Sequence, residues 1–285
     1  MRRLRRKRAK AVSTISKPSI LSVNPMLALE TLESRLLLNA ALPASAGEED
    51  TFKYDWTHTM GSWDSDTGYD VAVDSSGNVL VTGEFKDSVE FNRPHDKDPY
   101  ASNGGTDIFV TKFNADGSYG WTTTWGGSGF DGGYGVATDS MGNVFVTGYF
   151  RDTVDFDPSA DDDIHASKGD QDIFVTKLKA DGSYAWTRTF GSSGYDAGNG
   201  VATDSAGNVF ITGYFVGTVD FNFSAGKTDY HSSRGERDVF IVKLNADGSY
   251  GWSETFGGSG YDGDVFRLKA QVPDDNLIGY QKKGD

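Results

Sequence analysis

The chain contains no cysteine in 285 residues. That excludes a disulfide scaffold, a thiolate metal centre and a cysteine nucleophile together. Histidine is scarce as well, at four residues, His58, His95, His165 and His231, with no His-x-x-x-His spacing for zinc. Proline numbers only 7, which argues against a disordered or collagenous chain. No apolar run approaches the ~20 residues of a membrane-spanning helix. Positive charge is short: 27 Lys/Arg stand against 41 Asp/Glu, a net charge of −14. An acidic body of this kind is a poor partner for nucleic acid or anionic lipid.

What the chain has in excess is glycine, at 36, and aromatic side chains, at 18 Phe, 13 Tyr and 6 Trp. With so little proline, this composition points to many short strands joined by tight turns. The charge is also divided along the chain. Residues 1–40 carry nine Lys/Arg against Glu30 and Glu33, whereas residues 41–285 carry 18 Lys/Arg against 39 Asp/Glu. A short basic leader therefore precedes a strongly acidic body, and the two call for separate readings.

The leader spans residues 1–50. Its basic run at 1–10 is followed by an apolar stretch, Leu36-Leu-Leu-Asn-Ala-Ala-Leu42, and a small-x-small pattern at Ala44-Ser-Ala46. More than twenty mixed residues separate the two parts, so this is an imperfect export signal. Leu32-Glu-Ser-Arg-Leu-Leu-Leu38 resembles the LEPR-XLL motif near the N-terminus of large exported bacterial surface proteins. It departs from that motif at Ser34, where the family has proline. The resemblance implies export to the cell surface or beyond. The alternative is a disordered basic arm with a chance leucine cluster.

The body is a tandem repeat. Trp56, Trp121, Trp186 and Trp252 recur at intervals of 65, 65 and 66 residues, and Asp74, Asp139 and Asp204 keep the same step. Residues 121–160 and 186–225 share 28 of 40 positions without a gap. The units run over 56–120, 121–185 and 186–251, with the start of a fourth at 252–264. Each holds four strand signals; in the second unit they fall at 134–139, 143–150, 172–178 and 184–190. Gly-Asn and Asp-Gly turns punctuate them, and no segment has helical periodicity. The fold class is thus all-β: a β-propeller-like array of four-stranded antiparallel blades, with about three full 65-residue repeats and partial flanking strands.

Several features qualify this picture. Residues 52–58 read as a fourth strand without a blade of its own. Residues 265–285 break the pattern and read either as a diverged hairpin or as a truncated end. An array left open would expose strand edges, so self-association is expected in that case. The length excess per blade lies in loops 86–106, 151–171 and 216–237, which vary most between units.

The repeat resembles the SBBP, or beta-propeller, repeat of bacterial exported proteins. The likeness is carried by Gly-Val-Ala-Thr-Asp-Ser-x-Gly-Asn-Val-Phe at 135–145 and 200–210, Thr-Val-Asp-Phe at 153–156 and 218–221, and Asp-Ile/Val-Phe at 172–174 and 238–240. It covers roughly residues 52–264. The resemblance implies a propeller and an extracytoplasmic setting, and it implies no catalytic residues.

Each candidate site also has a structural reading. The Gly-rich connector 125–135 lacks the Lys and helix of a phosphate loop, so it reads as a blade crossing. The acidic groups Asp64, Asp66 and Asp70, and Asp155, Asp157, Asp161, Asp162 and Asp163, are calcium candidates, against a reading as solvated loops. His165 and His231 occupy equivalent positions and cannot share one zinc. The Trp ladder reads as packing rather than sugar stacking, and Trp63 and Trp125 are expected to be exposed. No catalytic, metal or cofactor residue is assigned. The reading is an exported, non-catalytic binding, adhesion or spacer module, with a surface polysaccharide or a protein as ligand. The alternatives are a carbohydrate-active propeller enzyme and a fragment of a longer array.

Overall fold

The computed structural model describes residues 55–92, 99–159 and 161–262, and every regular element in them is a β-strand. The leader 1–50 with its LEPR-XLL-like stretch, and the segment 265–285, lie outside the described residues. No helix among the described residues is long and apolar enough to cross a membrane.

In the first unit the strands are β1 (Thr67–Val73), β2 (Val79–Phe85), β3 (Ser88–Val89), β4 (Tyr100–Ala101), β5 (Asp107–Phe113) and β6 (Tyr119–Trp125). The second unit has β7 (Gly132–Thr138), β8 (Val144–Phe150), β9 (Thr153–Asp155), β10 (Ile164–Ala166), β11 (Asp172–Leu178) and β12 (Tyr184–Phe190). The third has β13 (Ala197–Thr203), β14 (Val209–Phe215), β15 (Thr218–Asp220), β16 (Tyr230–Ser232), β17 (Asp238–Leu244) and β18 (Tyr250–Phe256). Each unit forms one four-stranded antiparallel sheet, β1-β2-β5-β6, β7-β8-β11-β12 and β13-β14-β17-β18. This is the blade expected from the repeat. The four strands expected in the second unit all form, and the last two keep their bounds.

The sheets pack face to face, and that packing explains the strand composition. Strands buried on both sides need apolar residues at nearly every position. Val144, Val146 and Phe150 of β8 enter a core with Leu80, Ile108, Val110 and Trp125 of the first sheet. Their neighbour Phe145 enters the next core, with Phe190, Val201, Val209 and Phe240. These two hydrophobic cores are therefore seams between blades, and each fully buried side chain there contributes about 2 to 3 kcal/mol.

The innermost strands β1, β7 and β13 lie side by side. Val136 N donates to Asp70 Oδ2 at 3.0 Å, and Thr203 Oγ1 donates to the Thr138 carbonyl at 2.9 Å. Space there is short: a Cβ on Gly135 would stand 3.0 Å from Gly200 Cα. Glycine is used because only a bare backbone lets adjacent strands approach this closely. Among the described residues the three sheets do not close into a ring.

Three expectations need correction. The variable loops at 86–106, 151–171 and 216–237 each hold a two-stranded ribbon, β3-β4, β9-β10 and β15-β16. Val89, Val154 and Val219, with Phe91, Phe156 and Phe221, anchor these ribbons in the cores. Residues 55–58 form no strand, having no sheet to pair with among the described residues; Trp56 and His58 instead pack on the first sheet, with the His58 ring stacked on Phe113. Trp125 is only 2% exposed, because the second blade's Phe156 closes over it. Trp63 is fully exposed, as expected.

The Trp ladder packs seams. A Cβ on Gly182 would stand 2.7 Å from the Trp121 ring, and one on Gly248 the same distance from Trp186. Each indole thus lies on the turn of the following blade, where positive φ also demands glycine (Gly182 φ 87°, Gly248 φ 79°).

Candidate functional site: the connector face

Strand direction decides which residues meet. The starts of the innermost strands, the ends of the second strands, the roots of the ribbons and the connectors between blades all lie at one edge of each sheet, and the ribbon tips reach toward the hairpin end. The hairpin turns occupy the other edge.

The connectors are stapled to this face by repeated carboxylates. Asp131 accepts from Gly127 N at 2.9 Å and from Arg151 N at 2.8 Å. Asp196 does the same for Ser192 N and Val216 N, at 2.6 and 2.8 Å. Asp66 takes Ser62 N and, at 3.2 Å, Lys86 N. A second set, Asp107, Asp172 and Asp238, is buried beneath Gly126, Gly191 and Gly257, where a Cβ would overlap the carboxylate. The glycine-rich connectors are thus blade crossings over a buried acid. Burial drives the Asp131 carboxyl up to about 7 although its backbone hydrogen bonds pull it down. Asp107 and Asp172 rise to about 6 for the same reason.

These duties also place the calcium candidates. Asp64 pairs with Lys86 at 3.1 Å, while Asp66 and Asp70 hold backbone amides. Asp155 Oδ1 accepts from Asp157 N and Asp163 N, both at 3.0 Å, and Asp157 Oδ1 accepts from Ser159 N at 2.9 Å. Among the described residues no group of three or more acidic or histidine side chains is placed to hold a metal ion. His165 and His231 belong to separate ribbons, in β10 and β16, their Nδ1 atoms 2.9 and 3.0 Å from Thr189 and Thr255 Oγ1.

Beside this frame stands a set of residues that sequence reasoning did not single out. Each innermost strand bulges at the same place, between Gly68 and Asp70, Gly133 and Gly135, and Gly198 and Gly200. The extra residue is Tyr69, Tyr134 or Asn199, and a bulge re-aims exactly one side chain out of the ladder. Tyr69 meets Tyr134 edge-on at 4.7 Å, and Tyr134 meets Tyr149 at 5.2 Å. Glu84 stands near them. Burial raises its pKa, and the nearby hydroxyls of Tyr69, Thr106 and Tyr149 offset only part of the rise. Burial, with the Glu84 charge added, pushes the Tyr134 phenol up to about 12. Tyr69 and Tyr149 are raised further for the same reason, so this tier stays protonated.

Further along the face Arg237 stacks on Tyr214 at 4.1 Å and donates to Tyr261 Oη at 2.6 Å. Phe130, Tyr195 and Tyr261 hold the same position in three successive connectors and are 52%, 45% and 60% exposed. Parallel bridges, Gln171 to Tyr195 and Arg237 to Tyr261, fix the last two to the sheets. The signal was present in the sequence as breaks in symmetry. Glu84 stands where the other units have Tyr149 and Tyr214, and Arg237 stands where they have Thr106 and Gln171.

Comparison with known proteins agrees with this architecture. Residues 57–84 and 185–214 match the family model of the beta-propeller repeat, across β1–β2 and β12–β14 respectively. An uncharacterized WD repeat-containing protein of Acanthamoeba polyphaga mimivirus is 26% identical over 230 residues, covering 72% of this chain and 17% of its own length. The regulatory protein FlaEY of Caulobacter vibrioides is 28% identical over 218 residues, covering 72% of this chain and 21% of its own length. The chain thus spans about a fifth of the length of these curated relatives. It is an all-β array of four-stranded repeats with two segments of beta-propeller repeat sequence.

Proposed function

We propose that the chain is a non-catalytic binding module of an exported, surface-attached repeat protein, and that its connector face engages a protein partner. The observation that carries this reading is the row of exposed aromatics Phe130, Tyr195 and Tyr261 at one repeat position. Aromatic and arginine side chains held on rigid elements are the usual energetic centres of protein interfaces, and Arg237 is stacked into this row. The connector carboxylates favour a non-catalytic role, since they are engaged by backbone amides of the frame. The similarity to a WD repeat-containing protein supports a scaffold that presents contacts. The basic leader with its LEPR-XLL-like stretch supports export.

Site-specific photo-crosslinking in the producing cell tests the proposal. A photoreactive residue at Phe130 or Tyr195 is expected to give a discrete protein adduct in the envelope fraction. One at the exposed Met141, on the hairpin edge, is expected to give none. Equal labelling from both edges, adducts with polysaccharide only, or adducts confined to the cytoplasm would overturn it.

A further inference from the structure

A second feature lies away from the connector face, at the outer edge of the seam between the second and third blades. A groove of 470 Å³ opens there, lined by Asp163, His165, Arg188, Phe223, Ser224 and Asp247, with hydroxyls of Thr187, Thr189 and Ser249 around them. That volume lies within the range of small-ligand sites. Its walls come from different blades: the β10 ribbon and β12 on one side, the third blade's ribbon loop and last hairpin on the other.

The lining is built, not loose. The Arg188 guanidinium lies between the Trp186 and Phe223 rings, at 5.1 and 5.5 Å, and Arg188 Nε donates to the Gly248 carbonyl at 3.0 Å. Tyr184 Oη donates to Asp163 Oδ2. Asp247 Oδ1 accepts from Ser249 N and Oγ, at 2.9 and 2.6 Å. His165 is fixed through Nδ1 to Thr189 Oγ1, while its shielded Nε2 has no hydrogen-bond partner, although Asp163 Oδ1 stands 3.2 Å away.

Comparison with the other units shows what is special. His231 Nε2 in the third blade meets Ser253 Oγ at 3.1 Å. In the second blade Thr187 takes that position and turns its hydroxyl to Thr176 at 2.9 Å, so His165 Nε2 has no hydroxyl beside it and faces Asp163 Oδ1 at 3.2 Å. At the preceding seam the residues equivalent to His165, Arg188 and Phe223 are Tyr100, Thr123 and Pro158. The combination of imidazole, guanidinium and aromatic ring therefore occurs at this seam alone among the three units.

The chemistry selects a ligand class. The single guanidinium offsets only one of the two carboxylates, so the lining offers no excess positive charge to hold an anion. Both carboxylates already accept bonds and keep further lone pairs to offer. The Ser224 hydroxyl can donate and accept, while the Thr189 and Ser249 oxygens, already bonded to His165 and Asp247, keep a lone pair to offer. Such a surface suits a neutral ligand dense in hydroxyls, and an open groove suits a chain that passes through it. We infer that the groove between the second and third blades is a binding site for a neutral hexopyranose oligosaccharide. This site is independent of the connector face, so either reading can fail without the other.

Isothermal titration of the full chain with cellotetraose, maltotetraose, mannotetraose and chitotetraose tests it, with tetragalacturonate as the anionic control. At least one neutral tetrasaccharide is expected to bind, and tetragalacturonate is not. Asp247→Asn, on an exposed turn, should weaken binding about tenfold by removing a charged acceptor. Ser224→Tyr, at a loop position whose backbone supplies the fold's contacts, should abolish it by filling the groove. Unchanged affinity in both variants, binding of the anionic control alone, or no heat with any neutral sugar would overturn the inference.

Discussion

The two edges of each blade have been treated differently by the repeat. At the hairpin edge the turn aspartates do the same work every time. Asp74 accepts from Ser76 N, Asn78 N and Asn78 Nδ2 at 2.9, 3.0 and 2.8 Å, and Asp139 accepts from Met141 N, Asn143 N and Asn143 Nδ2 at 2.9, 2.9 and 2.7 Å. Asp204 repeats the pattern with Asn208. At the connector edge the carboxylate staples repeat but their neighbours do not: Glu84, Tyr149 and Tyr214 share one position, and Thr106, Gln171 and Arg237 another. Where a side chain answers a backbone amide, geometry allows few residues and the repeat stays uniform. Where it answers solvent or another side chain, the unit is free to differ, and recognition can be placed there.

The largest effect should come from breaking the uniform edge. Asp139 is buried, and Lys177 Nζ stands 3.9 Å from it; the equivalent pair, Asp74 and Lys112, is at 3.1 Å. Asp139→Ala removes three hydrogen bonds and leaves a partly buried ammonium without its counter-charge. A loss of about 3 to 5 kcal/mol is expected, read as a fall in the urea midpoint. Asp74→Ala should match it to within about 1 kcal/mol. A much smaller loss in either would show that the two hairpins are alike in sequence but not in energy.

A smaller, pH-dependent effect should mark the connector edge. Asp107 and Asp172 are raised to about 6 and Asp131 to about 7, chiefly by burial. The folded chain thus binds these protons more tightly than the unfolded chain. The associated stability is complete below the ordinary carboxylate range, near pH 4, and is lost as pH rises through 6 to 7. The urea midpoint should fall across that window. Asp107→Asn, neutral at every pH and able to keep the Asn103 bonds, should flatten the fall. The exposed Asp116→Asn should not. A midpoint that climbs from pH 4 to 7 would remove the distinction between the edges.

Much of this frame was legible beforehand because its causes are local. Turn glycines, Asp-Gly hairpins and alternating apolar strands each declare themselves within a few residues, and the 65-residue step multiplies the signal. Trp125 was misread because its register differs from the Trp ladder. Its burial depends on Phe156, which reaches it from another blade. The ribbons were missed since β3, β9 and β15 are only two or three residues long, too short to show a period. The tyrosine tier depends on bulges, which the sequence marks only as Gly-Tyr-Asp, Gly-Tyr-Gly and Gly-Asn-Gly. The leader's reading falls on residues outside the described structure, so its test belongs to cell fractionation.

The smallest effect on stability should fall where the proposed function is concentrated. Phe130 and Tyr195 are about half exposed and belong to no core cluster. A substitution at such a position usually changes stability by no more than about 0.5 kcal/mol. Phe130→Ala and Tyr195→Ala should therefore leave the urea midpoint nearly unchanged while removing the crosslinked partner. Trp125→Ala, five residues before Phe130 on the same connector, should instead cost about 3 to 5 kcal/mol, because its indole is sealed in the seam. The pair separates two roles for aromatic residues that lie close in sequence. If Phe130→Ala destabilised the fold as much as Trp125→Ala, the exposed row would be part of the frame, and the two edges of the blade would differ in sequence without differing in purpose.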